Sequence, residues 1–306
     1  MGGRPLQLVY LQGQNTSLLL DTGCADDPAR FILPQISQAG GNLAQLTWII
    51  NTHCDLDHIG GNHEMKQAAP GARLACGDAD REACSSAANL MRLRYDAYKE
   101  RHHLYYSGEG REGLIAQCGQ PEPIEVTFVG GEHIRLGPDW EIEILSLPGH
   151  SKGHLGLLDR KNQALYAGDA IHGAVYLGFD GTEKMGPTYL HVDDYLSTIR
   201  FVEHLPISTY VGCHWPVKHG AEIGEFCAES RQFVQKADHL LREFLIKPHT
   251  LAEACLELGP HLGQWPRAVD TELMYALNGH LERLVERGLA QFEQAAGQAA
   301  VYKLSH

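Results

Sequence analysis

The sequence lacks any apolar run long enough to cross a membrane, because stretches such as LTWII (46–50) are far shorter than the roughly 20 residues that a bilayer requires. It also lacks a basic segment followed by an apolar one at its start, which argues against a secretory signal. Its eight cysteines include no C-x-x-C pair, so neither a zinc knuckle nor a disulfide framework is indicated. These absences predict a soluble protein of the reducing cytoplasm, with no membrane partner.

Positive charge is also scarce, since 25 Lys and Arg stand against 38 Asp and Glu and give a formal net charge of −13. Such a chain repels polyanions, so a nucleic-acid partner is not expected. The length of 306 residues and a hydrophobic content of 43% suffice for one large domain and one small domain.

A change of pattern near Gly220 predicts two domains, 1–220 and 221–306. In the first, short β-type runs alternate with helical segments, and the first two runs (6–12 and 16–23) are joined by GQN, which reads as a hairpin turn. A helical, aromatic-rich segment at about 78–118 interrupts the alternation and is interpreted as an inserted lid.

The second domain is predicted as three helices and a terminal β-hairpin, a pattern similar to a winged helix. The helix that would enter a nucleic-acid groove, around 272–284, carries little basic surface, so groove binding is not expected. We interpret this region as a wall of a substrate cleft or as the contact of a homodimer.

The stretch NTHCDLDHIGG (51–61) places four metal-ligand side chains, His53, Asp55, Asp57 and His58, within six positions directly after an apolar run. Residues i and i+2 of a strand share a face, and a turn of helix beyond it adds the rest, so a tight loop can direct all four to one point. Imidazole and carboxylate are ligands that borderline divalent metals accept. The alternative is a polar loop with helix-capping aspartates.

Three further candidates each follow an apolar strand: His150 in SLPGHSKGH, Asp169 in LYAGDAI and His214 in YVGCHWPV. The carboxyl ends of such strands meet at one edge of a sheet, where open α/β folds bind ligands. Taken singly, each has an ordinary alternative as a capping aspartate or a core histidine. The ordered set is more specific than its members.

This series resembles the metallo-β-lactamase fold superfamily, whose T-H-x-H-x-D-H signature is followed by a His, an Asp and a final His. The resemblance covers about residues 5–220 and implies an α/β fold, an αββα sandwich, with two divalent metal ions between the sheets. It assigns His53, Asp55 and His150 to one metal, assigns Asp57, His58 and His214 to the other, and makes Asp169 the bridge. LLLDTG (18–23) is also typical of the family, and its Asp21 would orient a ligand imidazole, although a turn-forming Asp is the simpler alternative.

Asp55 departs from the family pattern, which has a histidine at this position. A carboxylate adds negative charge and favours harder cations, so zinc is the first expectation and iron or manganese are the alternatives. Flavodiiron oxygen reductases also carry a carboxylate here, but they need a flavin-binding domain that this sequence does not show.

The resemblance implies a metal-dependent hydrolase that attacks a small ester, thioester or lactone with a metal-bridged hydroxide, with Asp57 orienting the nucleophile and moving its proton. Lys152, His154 and Tyr189 are candidate contacts to a small-molecule substrate. Three alternatives stay open: a nuclease of the same fold, an iron-dependent oxidoreductase of the persulfide dioxygenase or flavodiiron type, and a binder without chemistry. The β-lactamase-like protein 2 subgroup has a similar helical C-terminal domain.

Overall fold

The computed structural model describes residues 3–305. The first sheet has the strand order β1-β2-β3-β4-β5, in which β1 and β2 form an antiparallel hairpin and the other neighbours are parallel. Its strands are β1 (Val9–Gln12), β2 (Ser17–Leu20), β3 (Leu46–Ile50), β4 (Arg73–Gly77) and β5 (Val126–Phe128).

Eight further strands follow, of which six form the second sheet and two form a separate small hairpin. They are β6 (His133–Gly137), β7 (Trp140–Ser146), β8 (Leu155–Asp159), β9 (Ala164–Gly168), β10 (Tyr176–Leu177), β11 (Glu183–Met185), β12 (Thr209–Gly212) and β13 (Lys218–His219). The second sheet has the order β13-β12-β9-β8-β7-β6, and β12 is parallel to β9. The strands β10 and β11 pair with each other.

The two sheets face each other across an apolar layer, as strand periodicity dictates. Leu18 and Leu20 of β2 belong to this layer with Ile144 of β7 and Leu157 of β8, whereas Leu19 between them packs into the outer core. All four residues of β2 are therefore buried. This is the arrangement that the αββα expectation requires, and the fold class is confirmed.

Helices cover the outer face of each sheet. On the first sheet lie α1 (Leu33–Gln38), preceded by a π-helical turn at Pro28–Ile32, α2 (Leu56–Ile59) and α3 (Asn62–Ala68). The second sheet packs against α8 (Val192–Glu203) and the first part of α9 (Ala221–Phe244).

The segment between β4 and β5 is helical, as expected, but it is broken into short pieces. They are a 3₁₀ turn at Asp78–Asp80, α4 (Arg81–Cys84), α5 (Ala87–Leu90), a π-helical turn at Met91–Tyr95, α6 (Lys99–His102) and α7 (Gly108–Gln117). His103, with φ of 56°, ends α6 in the left-handed conformation.

After residue 220 the chain forms α9, α10 (Leu251–Leu262), a 3₁₀ segment at Arg267–Leu273, α11 (Met274–Glu286) and a small antiparallel sheet. That sheet has the order β14 (His249–Thr250), β16 (Val301–Leu304), β15 (Ala290–Glu293). A capping box between Thr250 and Glu253 begins α10. One continuous apolar core joins these helices to the second sheet, so the division at 220 and the winged-helix assignment stay predictions.

Across residues 3–305, none of the helices combines the length and the apolar character that crossing a bilayer requires.

Candidate metal centre

The candidate ligands lie where four strands of the two sheets end. The 51–61 stretch follows β3, His150 follows β7, Asp169 directly follows β9, and His214 comes two residues after β12. Gly168 lets β9 approach this point, because its φ is 52° and a Cβ atom there would lie 2.8 Å from Thr52 Oγ1. The expectation of one shared edge agrees with this geometry.

Ligand atoms of the described residues converge in two groups, and within each group they lie within 4.8 Å of one another. The first group is His53, His150 and Asp169; the second is His58, Asp169, Cys213 and His214. All of these residues are buried. Because Asp169 belongs to both groups, its position is that of a bridging carboxylate.

The imidazoles of the first group are oriented by protein oxygens behind them. His53 Nδ1 lies 3.0 Å from Thr52 Oγ1, and His150 Nδ1 donates to the Thr188 carbonyl oxygen at 3.0 Å. With the proton on Nδ1, the lone pair of His150 is on Nε2 and faces the group. Burial lowers the pKa of His53 well below its usual range, with His58 acting in the same direction, which keeps this imidazole neutral.

The imidazoles of the second group are held in the same way. His58 Nδ1 lies 2.8 Å from Asp21 Oδ2, and His214 Nδ1 donates to the Pro5 carbonyl oxygen at 2.7 Å. Their Nε2 atoms are thus directed at Asp169, whose oxygens lie 3.8 Å and 3.5 Å away.

Three buried atoms at the centre have no hydrogen-bond partner in the described part of the chain: Nε2 of His53, Nε2 of His58 and Oδ1 of Asp169. Buried polar atoms are nearly always paired, and leaving three together unpaired is costly. Neutral imidazole nitrogens and carboxylate oxygens are donors that divalent metals accept. The donor set therefore fits metal ions.

Asp21 has the contacts that its predicted role requires. Besides His58, its carboxylate accepts from Thr52 through the backbone N–H at 2.7 Å and the hydroxyl at 2.8 Å. Asp21 itself has φ of 62°, a conformation that Asp and Asn tolerate better than other side chains. It supports both metal groups, because Thr52 contacts His53 in turn.

Asp57 lies beside the second group with little exposure. Its Oδ2 is 3.3 Å from His214 Nε2 and its Oδ1 is 4.0 Å from His58 Nε2. Burial raises the pKa of Asp57, but its contacts with His214 and His58 outweigh burial and lower it overall, so the carboxylate is charged. An ionised carboxylate is the form that accepts a proton.

Asp55 belongs to neither converging group, and its carboxylate is engaged by Arg94. Arg94 Nε and Nη2 donate to Asp55 Oδ1 and Oδ2 at 2.8 Å and 2.9 Å. Asp55 Oδ2 is nevertheless 2.9 Å from His150 Nε2 and 3.5 Å from His53 Nε2. The carboxylate thus stands at the first group with its charge paired by a guanidinium, and its role as a metal ligand stays a prediction.

The three candidate substrate contacts differ in exposure. Lys152 is exposed, whereas His154 and Tyr189 have no exposed surface. His154 Nε2 accepts the backbone N–H of Asp169 at 3.2 Å, and Tyr189 OH lies 2.8 Å from His280 Nε2. These two side chains contact the protein interior, and substrate contact stays a prediction for all three residues.

Two residues of the centre were missed by the sequence reasoning, Arg94 and Cys213. Nothing in the helical pattern MRLRY distinguishes Arg94 from a surface arginine. The one signal was the carboxylate charge of Asp55 itself, which needs a cation nearby if it is buried. Cys213 directly precedes His214, but in the sequence it is one of eight scattered cysteines. Burial raises the pKa of Cys213 to about 12, so its thiol is neutral in the absence of a cation.

A groove of about 910 Å³ is lined by the N-terminal segment and α1. Cys24 and Arg4 are part of its wall, and the Arg4 guanidinium lies over the Tyr176 ring, 5.3 Å from its centroid. Tyr176 OH in turn donates to Asp169 Oδ2 at 3.1 Å. Most of the remaining wall is apolar, including Leu6, Leu8, Phe31, Ile32, Ile36 and Val211.

Comparison with known proteins relates the chain to one superfamily. The sequence profile described as the Metallo-beta-lactamase superfamily matches residues 2–214. The crystal structure of the metallo-beta-lactamase family protein TTHA1429 from Thermus thermophilus superposes with a TM-score of 0.71 at 20% identity, covering 98% of this chain and 94% of that one. At this identity the likeness shows the fold alone.

Two of the curated relatives illustrate activities that are printed in their names. The acyl-coenzyme A thioesterase MBLAC2 of Gallus gallus is 25% identical over 203 residues, 63% of this chain and 65% of the relative. The atrochrysone carboxyl ACP thioesterase of Aspergillus fumigatus is 24% identical over 291 residues, 92% of this chain and 73% of the relative. The chain spans 58% to 65% of the length of the first curated relatives that it matches.

Proposed function

Because the chain belongs to the metallo-beta-lactamase superfamily, we propose that it is a metal-dependent hydrolase and that its substrate is an acyl thioester. The observation that carries the hydrolase is the pair of converging ligand groups that share Asp169. The thioester is favoured over an oxygen ester or a lactone by the names of the two relatives, which are thioesterases.

The ligands divide between two divalent ions, for which zinc is the first candidate. His53, His150 and Asp169, with Asp55 beside them, would hold one ion; His58, His214 and Asp169 would hold the other, with Asp57 and Cys213 beside them. Ions held by these residues would supply a lowered pKa of bound water and polarisation of a carbonyl oxygen.

A side chain of the protein can transfer the proton that hydrolysis moves from water to the leaving group. In thioester hydrolysis the water oxygen bonds to the carbonyl carbon, the C–S bond breaks, and the proton from water ends on the departing sulfur. Asp57, whose ionised carboxylate lies 3.3 Å from His214 Nε2, accepts that proton. The same carboxyl then delivers it to the thiolate, so the residue is unchanged after each turnover.

The apolar groove supports the acyl half of this substrate. Its wall includes Arg4, which lies over Tyr176, and Tyr176 donates to Asp169 of the centre. The apolar part of the wall suits a hydrocarbon chain that removes water from Leu8 and Val211. The Arg4 guanidinium suits a polar head group beside that chain.

The C-terminal helices contact the inserted segment that carries Arg94, and their interpretation as a cleft wall stays a prediction. Tyr275 of α11 lies under the Arg94 guanidinium, 4.9 Å from it. Tyr106 of the inserted segment donates to Glu272 at 2.7 Å. A homodimer contact in this region stays a prediction.

A substrate panel tests the function. Purified protein would be assayed with coenzyme A thioesters of increasing acyl length, with a matched oxygen ester, with a lactone and with single-stranded RNA. We expect thioester turnover that rises with acyl length and falls by about 10²- to 10⁴-fold in Asp57→Asn. Turnover of RNA alone, or oxygen consumption with a persulfide and one iron per chain, would replace this proposal by the nuclease or the oxidoreductase.

A further inference from the structure

Arg94 lies at the first ligand group, and three of its nitrogens make hydrogen bonds there. Nε and Nη2 donate to the two carboxylate oxygens of Asp55, and Nη1 donates to the His150 backbone oxygen at 2.9 Å. A two-point guanidinium–carboxylate pair of this kind fixes orientation as well as charge. Arg94 thus fixes the positions of both Asp55 and the backbone that carries His150.

Arg94 is itself fixed by its surroundings. Its side chain is 6% exposed, and its guanidinium stacks on Tyr275 from the C-terminal helices. The neighbouring Tyr95 accepts the backbone N–H of Leu56 at 3.1 Å, which ties the same π-helical turn to the loop after β3. A buried arginine is stable only with its anion, so Arg94 and Asp55 depend on each other.

The contact between Asp55 Oδ2 and His150 Nε2 points to a metal ion between them. Nε2 of His150 bears a lone pair, because its Nδ1 donates to Thr188, and the carboxylate oxygen 2.9 Å away also bears lone pairs. With His150 in this neutral form both atoms are acceptors that repel each other, and a cation that both can bind removes the repulsion. Arg94 Nη2 lies 3.1 Å and 3.4 Å from the two ring nitrogens of His150, a position over the ring and off the axis of the Nε2 lone pair.

We propose that Arg94 is the positioning residue of the first metal site: the ion pair of Asp55 and Arg94 acts as one neutral unit that replaces a ligand histidine and presents Asp55 Oδ2 to the metal. The inserted segment 78–118 therefore supplies part of the metal centre instead of only covering it. Asp80 of the same segment adds to this support, since it accepts the backbone N–H of Gly153 at 2.9 Å in the loop after His150.

Charge explains why the two residues belong together. A carboxylate in place of an imidazole adds one negative charge to the first group, and the guanidinium of Arg94 offsets it. The net charge of the ligands at the first metal site then equals that of a site in which a histidine replaces Asp55. On this ground zinc is not disfavoured relative to harder cations. The inference rests on the proposed metal-dependent function but does not require the substrate to be known.

The test is the metal content of four proteins after dialysis, with zinc affinity measured by chelator competition. They are the native protein, Arg94→Met, the double variant Asp55→His with Arg94→Met, and the control Arg111→Met. Arg111 is an arginine of the same inserted segment that pairs with Asp96 at 2.6 Å, and neither residue belongs to a ligand group. Methionine retains much of the side-chain volume of arginine without its charge.

We expect two zinc ions per chain in the native protein and in Arg111→Met. Arg94→Met should lower the binding affinity for one of the two ions by about 10- to 100-fold, which is the usual effect of losing a residue that orients a ligand. The affinity for the other ion should not change. The double variant should recover both ions, because an imidazole ligates without a counter-ion. That recovery cannot come from a merely structural arginine.

Two equally tight ions in Arg94→Met would overturn the inference, as would a double variant that binds no better than the single one. If Arg94→Met does not fold, Arg94→Lys takes its place. Lysine retains the charge but loses the two-point contact with Asp55, so the binding affinity for one ion should again fall. A native protein that binds no metal would instead contradict the proposed function, so the two failures are distinguishable.

Discussion

Asp21 Oδ2 lies 2.8 Å from His58 Nδ1, behind the second ligand group and next to a strand end at which Asp21 adopts a left-handed backbone. The carboxylate fixes the imidazole with its other nitrogen directed at Asp169. Because Asn also tolerates this backbone, Asp21→Asn removes the charge and preserves the turn. We expect about 10- to 100-fold weaker zinc binding by chelator competition. Asp26→Asn, in the loop that follows, is the control, and equal affinities in both variants would refute the role of Asp21.

Asp57→Asn removes the group that moves the proton and retains the size of the side chain. Since the contacts of Asp57 are with the ligand histidines His58 and His214, the free energy of unfolding should change little while kcat falls by about 10²- to 10⁴-fold. Stopped assays of thioester hydrolysis and chemical denaturation measure the two quantities. A variant that loses stability in proportion to its activity would show a structural role instead.

Leu8→Trp narrows the apolar groove at a partly buried position. If the acyl chain occupies the groove, kcat/KM for a long-chain thioester should fall by roughly 10-fold or more relative to that for the acetyl thioester. Ile246→Trp, at a side chain that is 66% exposed in the C-terminal region, serves as the control. An equal loss for both chain lengths would place the acyl group elsewhere.

We predict an acid-sensitive contact between the inserted segment and the C-terminal sheet. At this contact the ring of His102 stacks on Tyr302 with centroids 5.8 Å apart. Burial, followed by the charge of Arg101, lowers the pKa of His102 from 6.5 to about 4. The folded state thus binds the proton less tightly than the unfolded state, so the contribution is fully present above pH 6.5 and is lost as the pH falls toward 4.

This loss is on the order of 3 kcal/mol in the free energy of unfolding. The difference between the native protein and His102→Gln, which cannot take up the proton, should therefore shrink or reverse from pH 7.5 to pH 4.5. Denaturant titrations at the two pH values measure it, and a difference independent of pH would exclude this source of acid sensitivity.

Strand periodicity and ligand spacing predicted much of the fold and the location of the centre. Apolar runs that end in His, Asp or a turn indicate where strands end. The strand ends of the two sheets then bring together residues that are far apart in the sequence, such as His53 and His214. The sequence carries no comparable signal for Arg94, because it lies in a helical segment 39 residues from Asp55 and its partner is decided by packing. The same holds for Tyr189, which is fully buried against Tyr195 and His280.

The inserted segment shows another limit of sequence reasoning. Its pattern predicted helix and a covering role, but the helix is interrupted by π-helical and left-handed turns that direct Arg94 and Tyr95 inward. Such interruptions arise from tertiary contacts that local propensity does not encode.

The most direct measurement is the thioester turnover of one preparation before chelation, after chelation and after reconstitution with zinc, manganese or iron, with metal content determined at each step. We predict two ions per chain, loss of turnover with their removal, and recovery that is at least as high with zinc as with the harder metals. Thioester turnover that persists in metal-free protein would contradict the account.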